Sequence, residues 1–328
     1  MTSIKPSRRK WLIASASAGL CALAHTRLAR GAEVVRIIVG FPPGQATDIV
    51  ARLLAEQLKT VTGDNYIVDN RPGQGGSIAM GITANSPADG TVMMLTHMSA
   101  VATNPHLYKS VHYNSKNDFK AVGLVGDLPF VLVCHPSQPF TTIPELIDYA
   151  KKHPGKLTHA SSGNGTVSHL AMEEFKRRAG IDVLHVPYKG SAPGLTDVVA
   201  GQVSLALETA AGVQPFVKSG QLRALATATP KRLPGMPKVP TTAEQGFADF
   251  TAATWLMLIY PARTPDTLVS STFDALSKVM SNPEVSEKLA RIGAIARTSA
   301  NPQEAAAYIR SEYDSWGEVV KRSGVVLD

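Results

Sequence analysis

Cysteine is nearly absent, with two residues in 328, Cys21 and Cys134. Cys21 falls in an N-terminal stretch with the composition of a removable leader, so the mature chain keeps one thiol and can form no internal disulfide. Cys134 ends the apolar run Phe130-Val131-Leu132-Val133 and reads as a core residue, not as a nucleophile. Long apolar runs are also missing. None reaches the roughly 20 residues of a membrane-spanning helix, because the nearest approach, close to the N-terminus, is broken by His25, Arg27 and Arg30. The common catalytic signatures are lacking as well: no Gly-x-Ser-x-Gly elbow, no Gly-x4-Gly-Lys-Ser/Thr phosphate loop, no His-Glu-x-x-His and no paired-cysteine metal motif. Gly163-x-Gly165 is not a dinucleotide fingerprint, since Ser168 stands where a third Gly or Ala belongs. No cofactor, metal or catalytic residue is therefore expected, and a serine-type hydrolase survives only as a rival by fold analogy.

The apparent excess of positive charge is local. Residues 1–31 hold six of the 33 Lys and Arg and none of the 26 Asp and Glu, so the remainder has 27 basic against 26 acidic residues, a net charge of +1. Nucleic acid is not an expected partner. Basic Lys5, Arg8, Arg9 and Lys10 precede the apolar stretch Trp11 to Ala24 and then small residues, the order of a secretory leader. Ser7-Arg8-Arg9-Lys10-Trp11-Leu12 resembles the twin-arginine export motif, and the ordinary secretory route stays open beside it. Cleavage after Ala24 or after Gly31 fits. The second is preferred because strand-like sequence starts directly afterwards, which predicts a mature periplasmic protein beginning near Ala32.

What is present is an alternation of short β-branched runs and amphipathic segments, with 44% hydrophobic residues to build a core. Val34 to Val39 reads as a buried strand entering the Pro/Gly turn Phe41 to Gly44. Thr47 and Asp48 then open a helix running to about Val61. Strands are predicted at 66–68, 92–96, 130–134, 157–160, 184–186, 203–207, 222–226 and 255–260. Helices are predicted after the capping box Thr142-Ile143-Pro144-Glu145, from Val167 to about Arg178, and from Asp266 onward with breaks at Pro283 and Pro302. This is an α/β protein with mainly parallel sheets.

Two Gly-rich strand-to-helix turns carry the functional expectation. One is Pro42-Pro43-Gly44-Gln45-Ala46-Thr47-Asp48, and the other is Ser161 to Thr166 followed by Ser168-His169. The first amides of a helix lack internal partners and sit at the positive end of its dipole, so such a turn can hold an anion without Arg or Lys. Each turn alone reads equally as an ordinary βα connection. Ser168 and His169 are neighbours about 100° apart on a helix, poorly placed as nucleophile and base. Ser99 and Thr96 lie beyond a strand end, where ligand contact and loop hydrogen bonding are both open. Tyr188-Lys189-Gly190 reads as cleft wall or surface turn, Glu208 as a cleft or hinge residue, and Trp255 as core or hinge.

Val39-Gly40-Phe41-Pro42-Pro43-Gly44 with Thr47-Asp48 and Ala51-Arg52 resembles the opening of the substrate-binding proteins of tripartite tricarboxylate transporters, also called Bug receptors. Further matches follow in order: Asn70-Arg71-Pro72-Gly73, Pro87-Ala88-Asp89-Gly90, Asn104-Pro105, Ser162 to Thr166 with His169-Leu170, His185 to Gly190, Gly201-Gln202-Val203, Gly220 to Ala226, and Val239-Pro240-Thr241. The resemblance implies a type II-like periplasmic binding fold, two lobes joined by a hinge of crossing strands. With the leader read as a cleaved export signal at 1–31 and the two Gly-rich turns as one per module, the chain is expected to divide into a first lobe of 32–131 plus 253–328 and a second lobe of 132–252. The resemblance also implies a monomer that captures a small carboxylate for the membrane subunits of a transporter. A receptor presenting its ligand to a sensor kinase would use the same closure. The resemblance implies Gly44, Ala46, Thr47 and Asp48 as one wall of the ligand site and Ser162, Gly163, Gly165 and Thr166 as the other, with His169 behind; Phe41, Gln45, Ser99, Tyr188 and Glu208 join them as ligand-binding candidates from the residues themselves. Gln45 stands in place of a usual second Gly, Gln74 in place of a small residue, and Ser204 in place of an acid, so the ligand is named only as a small mono-, di- or tricarboxylate. Gln45, Gln74 and Ser99 are expected to read its non-carboxylate part.

Overall fold

A computed structural model describes residues 34–323. The leader and both cleavage sites lie outside the described residues. Among the described residues no helix is long and apolar enough to cross a membrane.

The chain opens with β1 (Val34–Val39), whose Ile37, Ile38 and Val39 are fully buried, as a β-branched run covered on both faces should be. α1 (Ala46–Thr62) follows, burying Val50, Leu54 and Leu58 at helical spacing and ending at Gly63 in the left-handed conformation. β2 (Asn65–Asn70) and β3 (Val92–His97) flank β1 in parallel, with α2 (Ser77–Ala84) between them. A π-type turn, Ser99–Thr103, leads into the short α3 (Asn104–Leu107).

The longest strand, β4 (Phe119–Cys134), extends well ahead of the 130–134 run expected from sequence, and it serves two sheets. From Phe119 to Pro129 it pairs antiparallel with β9 (Ala253–Pro261); from Phe130 to Cys134 it pairs with β7 (Leu205–Thr209) and, on its other edge, β8 (Arg223–Thr227). Two register shifts interrupt its pairing with β9, next to Gly123 and Gly126, where bulges bend a strand. The second sheet continues through β5 (Thr158–Ser161) and β6 (Leu184–Pro187), both parallel to their neighbours. Apart from β8 and the two-residue β10 (Ile295–Ala296), which pair with β4, the strand order is β2-β1-β3-β9-β4-β7-β5-β6. Every antiparallel pairing among the described strands involves β4 or β9. The sheets are therefore parallel away from the crossing and mixed at it.

Helices α4 (Ile143–Lys152), α5 (Val167–Ala179), α6 (Ser191–Val199) and α7 (Ala210–Lys218) belong to the second sheet's half. α8 (Asp266–Met280), α9 (Pro283–Arg291) and α10 (Pro302–Ser323) finish the chain, with Pro283 and Pro302 as the first residues of their helices, where a missing N–H costs nothing. The capping box forms with a variation. Thr142 accepts the Glu145 amide at 3.3 Å, while the Glu145 carboxylate takes the N–H and hydroxyl of Thr141. The strand predicted at 203–207 is displaced two residues, which brings Glu208 and Thr209 into β7 and leaves Val203 outside. Trp255 is a core residue on β9, its indole N–H donating to Glu312 at 2.8 Å.

Candidate functional site

The turns before α1 and α5 face each other across a cavity of about 30 Å³. On the first side stand Phe41, Gln45, Ala46 and Thr47, with His97 and Ser99 behind them. Ser162, Thr166, Val167, Glu208 and Thr209 form the opposite side. The crossing strands supply Leu128, Phe130 and Thr254. The two sides are joined through Thr103, whose hydroxyl donates to the Gly165 carbonyl at 3.0 Å, and through Tyr108, whose hydroxyl reaches the Asn164 carbonyl at 3.4 Å.

Both helices that point at the cavity begin without a side-chain cap. Gln45 precedes α1 and Thr166 precedes α5, each extended, and neither side chain accepts from the helix's first amides. Those amides, at Ala46 and Thr47 and at Val167, are among the first four of a helix, which have no intrahelical partner.

Below the first turn, Asp48 is buried and fully engaged. Its carboxylate accepts from the Gly44 amide at 2.8 Å, from Arg52 Nε and Nη2 at 3.0 and 2.9 Å, and from Asn70 Nδ2 at 2.9 Å. Burial raises its pKa, but Arg52, the Gly44 amide and Asn70 outweigh that and hold it below the usual range. Asp48 thus fastens the turn to the helix and to β2, and it does not line the cavity. Gly44 itself takes φ +82°, a left-handed conformation that glycine tolerates best.

The second turn is held by hydroxyls. The Thr166 hydroxyl donates to the Gly163 carbonyl at 2.7 Å, and Ser168 Oγ lies 2.9 Å from both Thr166 Oγ1 and Ser162 Oγ while accepting the Ser162 amide at 2.9 Å. Ser168 is buried inside the turn, with none of its hydrogen bonds reaching His169. The Gly165 amide donates to His169 Nδ1 at 3.2 Å, which makes that nitrogen the acceptor and removes the Gly165 N–H from the cavity. His169 stacks on His185 at 4.1 Å, and burial lowers its pKa to about 4, so it is neutral at pH 7. Tyr188 lies behind the turn, donating its hydroxyl to Asp197 at 2.5 Å. A Cβ at Gly163 would come within 3.1 Å of the Tyr188 carbonyl.

Of the residues singled out in the sequence, Phe41, Gln45, Ala46, Thr47, Ser99, Ser162, Thr166 and Glu208 line the cavity; Gly44, Asp48, Gly163, Gly165, His169 and Tyr188 support the two turns from behind. Gln74 is exposed with φ +44°, and its carbonyl accepts from Asn104, away from the cavity. Sequence reasoning missed His97, Leu128, Phe130, Val167, Thr209 and Thr254. His97 at the end of β3 and Thr209 beside Glu208 follow from strand ends meeting at one crevice. The positions on β4 and β9 carry no local signal.

Polar groups without partners converge here. Gln45 Oε1, His97 Nε2, Thr209 Oγ1 and Thr254 Oγ1 are buried and make no hydrogen bond, an arrangement that native interiors rarely keep. Burial drops the His97 pKa to about 3, so its imidazole is neutral at physiological pH. Glu208 is 3% exposed, accepts from Ser162 Oγ at 2.7 Å and from the Thr209 amide at 3.0 Å, and has its pKa raised by burial against those two bonds and the Ser168 side chain. Cys134 is fully buried in β4, its thiol pushed up to about 11 by burial. Among the described residues no cluster of three or more His, Cys, Asp or Glu is placed to hold a metal ion.

Residues 50–325 match the family described as tripartite tricarboxylate transporter family receptor. Protein BugT of Bordetella pertussis is 35% identical over 297 residues, covering 90% of this chain and 91% of BugT. Among solved structures, R. palustris Rpa4515 with adipate superposes with a TM-score of 0.86 at 33% identity, covering 90% of this chain and 98% of that one. The periplasmic binding protein BugD gives 0.84 at 32% identity, with the same coverage. These similar proteins are receptors and binding proteins, not enzymes.

Proposed function

From the premise that the chain belongs to the tripartite tricarboxylate transporter receptor family, we propose that it is a periplasmic receptor that closes two lobes over a small carboxylate and delivers it unaltered to membrane transporter subunits. The observation that carries this reading is the pair of uncapped helix N-termini facing one cavity ringed by unpaired polar atoms. Amides at Ala46, Thr47 and Val167 would take the carboxylate oxygens, and a ligand would also partner Gln45, Thr209 and Thr254. Adipate in Rpa4515, a relative of the same fold, is consistent with such a ligand class. The lobes in this reading are 34–131 with 253–323, and 132–252, hinged where β4 changes pairing partners between Pro129 and Phe130. Export by the N-terminal leader is part of the same proposal, as is action as a monomer.

Thermal-shift screening of the mature protein against small mono-, di- and tricarboxylates tests it. A ligand at 100 times its dissociation constant adds about 2.7 kcal/mol, which is several degrees at this size. The bound acid should be recovered unchanged. No shift with any acid, or a turnover product, would sink the reading.

A further inference from the structure

The cavity holds an acid and no compensating base. Its lining includes no Lys or Arg, and its histidine, His97, is neutral. The two helix N-termini offer donors for one carboxylate, as the proposed function requires. Glu208, on the second side, is different in kind: a buried carboxyl group whose oxygens accept from Ser162 and from the Thr209 amide, with Ser168 as a further side-chain contact. A carboxylate has about four acceptor sites, so part of its capacity is unfilled.

Ser168 also acts on the carboxyl group as a hydrogen-bonding side chain, and the other hydroxyls around it do not fill the rest. Thr166 gives its proton to the Gly163 carbonyl, so Ser168 is the donor wherever it meets Thr166, and Ser162 spends its own proton on Glu208. Thr209 Oγ1 and Thr254 Oγ1 stand in the same lining and make no hydrogen bond to the carboxyl group. A ligand that presented a second carboxylate here would meet another acid in a low-dielectric site with no cation between them, so ionising both would be costly. A ligand that presented an N–H or O–H would instead meet a waiting acceptor, and an unpaired buried acceptor is what makes a polar site discriminate strongly.

We propose that Glu208 determines specificity, selecting carboxylic acids whose other end donates a hydrogen bond, an ammonium or a hydroxyl, over acids that end in a second ionised carboxylate. This rests on the carboxylate-receptor reading above, and the test separates the two. Calorimetric titration at neutral pH would compare three end groups on one chain: malonate, 3-hydroxypropionate and β-alanine; succinate, 4-hydroxybutyrate and 4-aminobutyrate; adipate, 6-hydroxyhexanoate and 6-aminohexanoate. At whichever length binds, the hydroxy or amino acid should bind at least about tenfold tighter than the diacid, and in Glu208→Gln that ratio should fall to within about threefold, chiefly because the diacid gains. The wild-type ranking is decisive even if the variant folds poorly. A diacid that binds as tightly as its partners in the wild-type protein, or a ratio that persists in Glu208→Gln, overturns this inference and leaves the receptor reading standing. Failure of every acid to bind overturns both.

Discussion

Replacing Asp48 with Asn keeps the side chain's shape and removes its charge, and the structure makes the cost larger than a helix-dipole role would. A first-turn acid acting only on the dipole is worth under about 1 kcal/mol. Asp48 instead receives four donors from three residues: Gly44, Arg52 twice, and Asn70. An Asn at this position offers one oxygen and turns an NH2 toward the remaining donors. The Gly44 and Asn70 donors are partly buried, and losing one of them costs about 1–3 kcal/mol. The Arg52 side chain is 55% exposed, so its pair adds no more than about 1 kcal/mol. Asp48→Asn should therefore lose about 2–3 kcal/mol, a fall in Tm of roughly 4–8 °C, measured by calorimetry on the mature protein at neutral pH. The sign of the pH dependence follows from the depressed pKa: the contribution is present above the unfolded value of about 3.9 and is lost as pH falls through the folded one. The gap between wild type and variant should close in acid. Because the same carboxylate holds the Gly44 turn, ligand affinity should weaken for every acid alike. A loss under about 1 kcal/mol with unchanged affinity would refute the clamp and return Asp48 to a dipole role.

Glu208 has the opposite signature. Its folded pKa is raised, so its contribution is fully present below the unfolded value and is lost as pH rises; Glu208→Gln should melt above the wild type near about pH 8, with the difference vanishing near about pH 4, and a pH-independent difference would contradict the burial argument. Gly293 has φ +84°, and a Cβ there would lie 2.8 Å from the backbone of Ala210 and Ala211 on α7. Gly293→Ala should cost more than the roughly 1–2 kcal/mol left-handed penalty expected for Gly220→Ala, where nothing lies within 4 Å, and equal Tm losses would dismiss the contact. Leu170 on α5 packs with Leu107 and Val320 from the other half of the molecule. Leu170→Ala should remove about 2–3 kcal/mol, largely from the closed form, and the apparent Kd should rise about tenfold for each 1.4 kcal/mol taken from closure. Small-angle scattering that remains as compact as the wild type, with unchanged affinity, would exclude that role.

Much of the architecture follows from local patterning. Val34 to Val39 reads as a strand buried along its second half, Val50, Leu54 and Leu58 as one face of a helix, and Pro283 and Pro302 open helices because their missing N–H is free of cost there. The two Gly-rich turns are legible for the same reason: glycine, an extended residue and then a helix form a local sentence, and their anion-holding amides come with it. Tertiary structure decided the rest. The sequence around Gly165 does not say that its amide is taken by His169, because the bond depends on how the α5 ring stacks against His185 on β6. Asp48 reads as a helix acid until Asn70, 22 residues away, is brought to its other oxygen. Leu128, Phe130 and Thr254 reach the cavity because β4 and β9 cross where the two sheets meet, and pairing between segments more than a hundred residues apart leaves no periodic trace in either. The acid at Glu208 is visible in the sequence, but the lack of Lys or Arg in the lining around it is a property of the folded cavity, since Coulomb interactions depend on distances that only the folded chain sets.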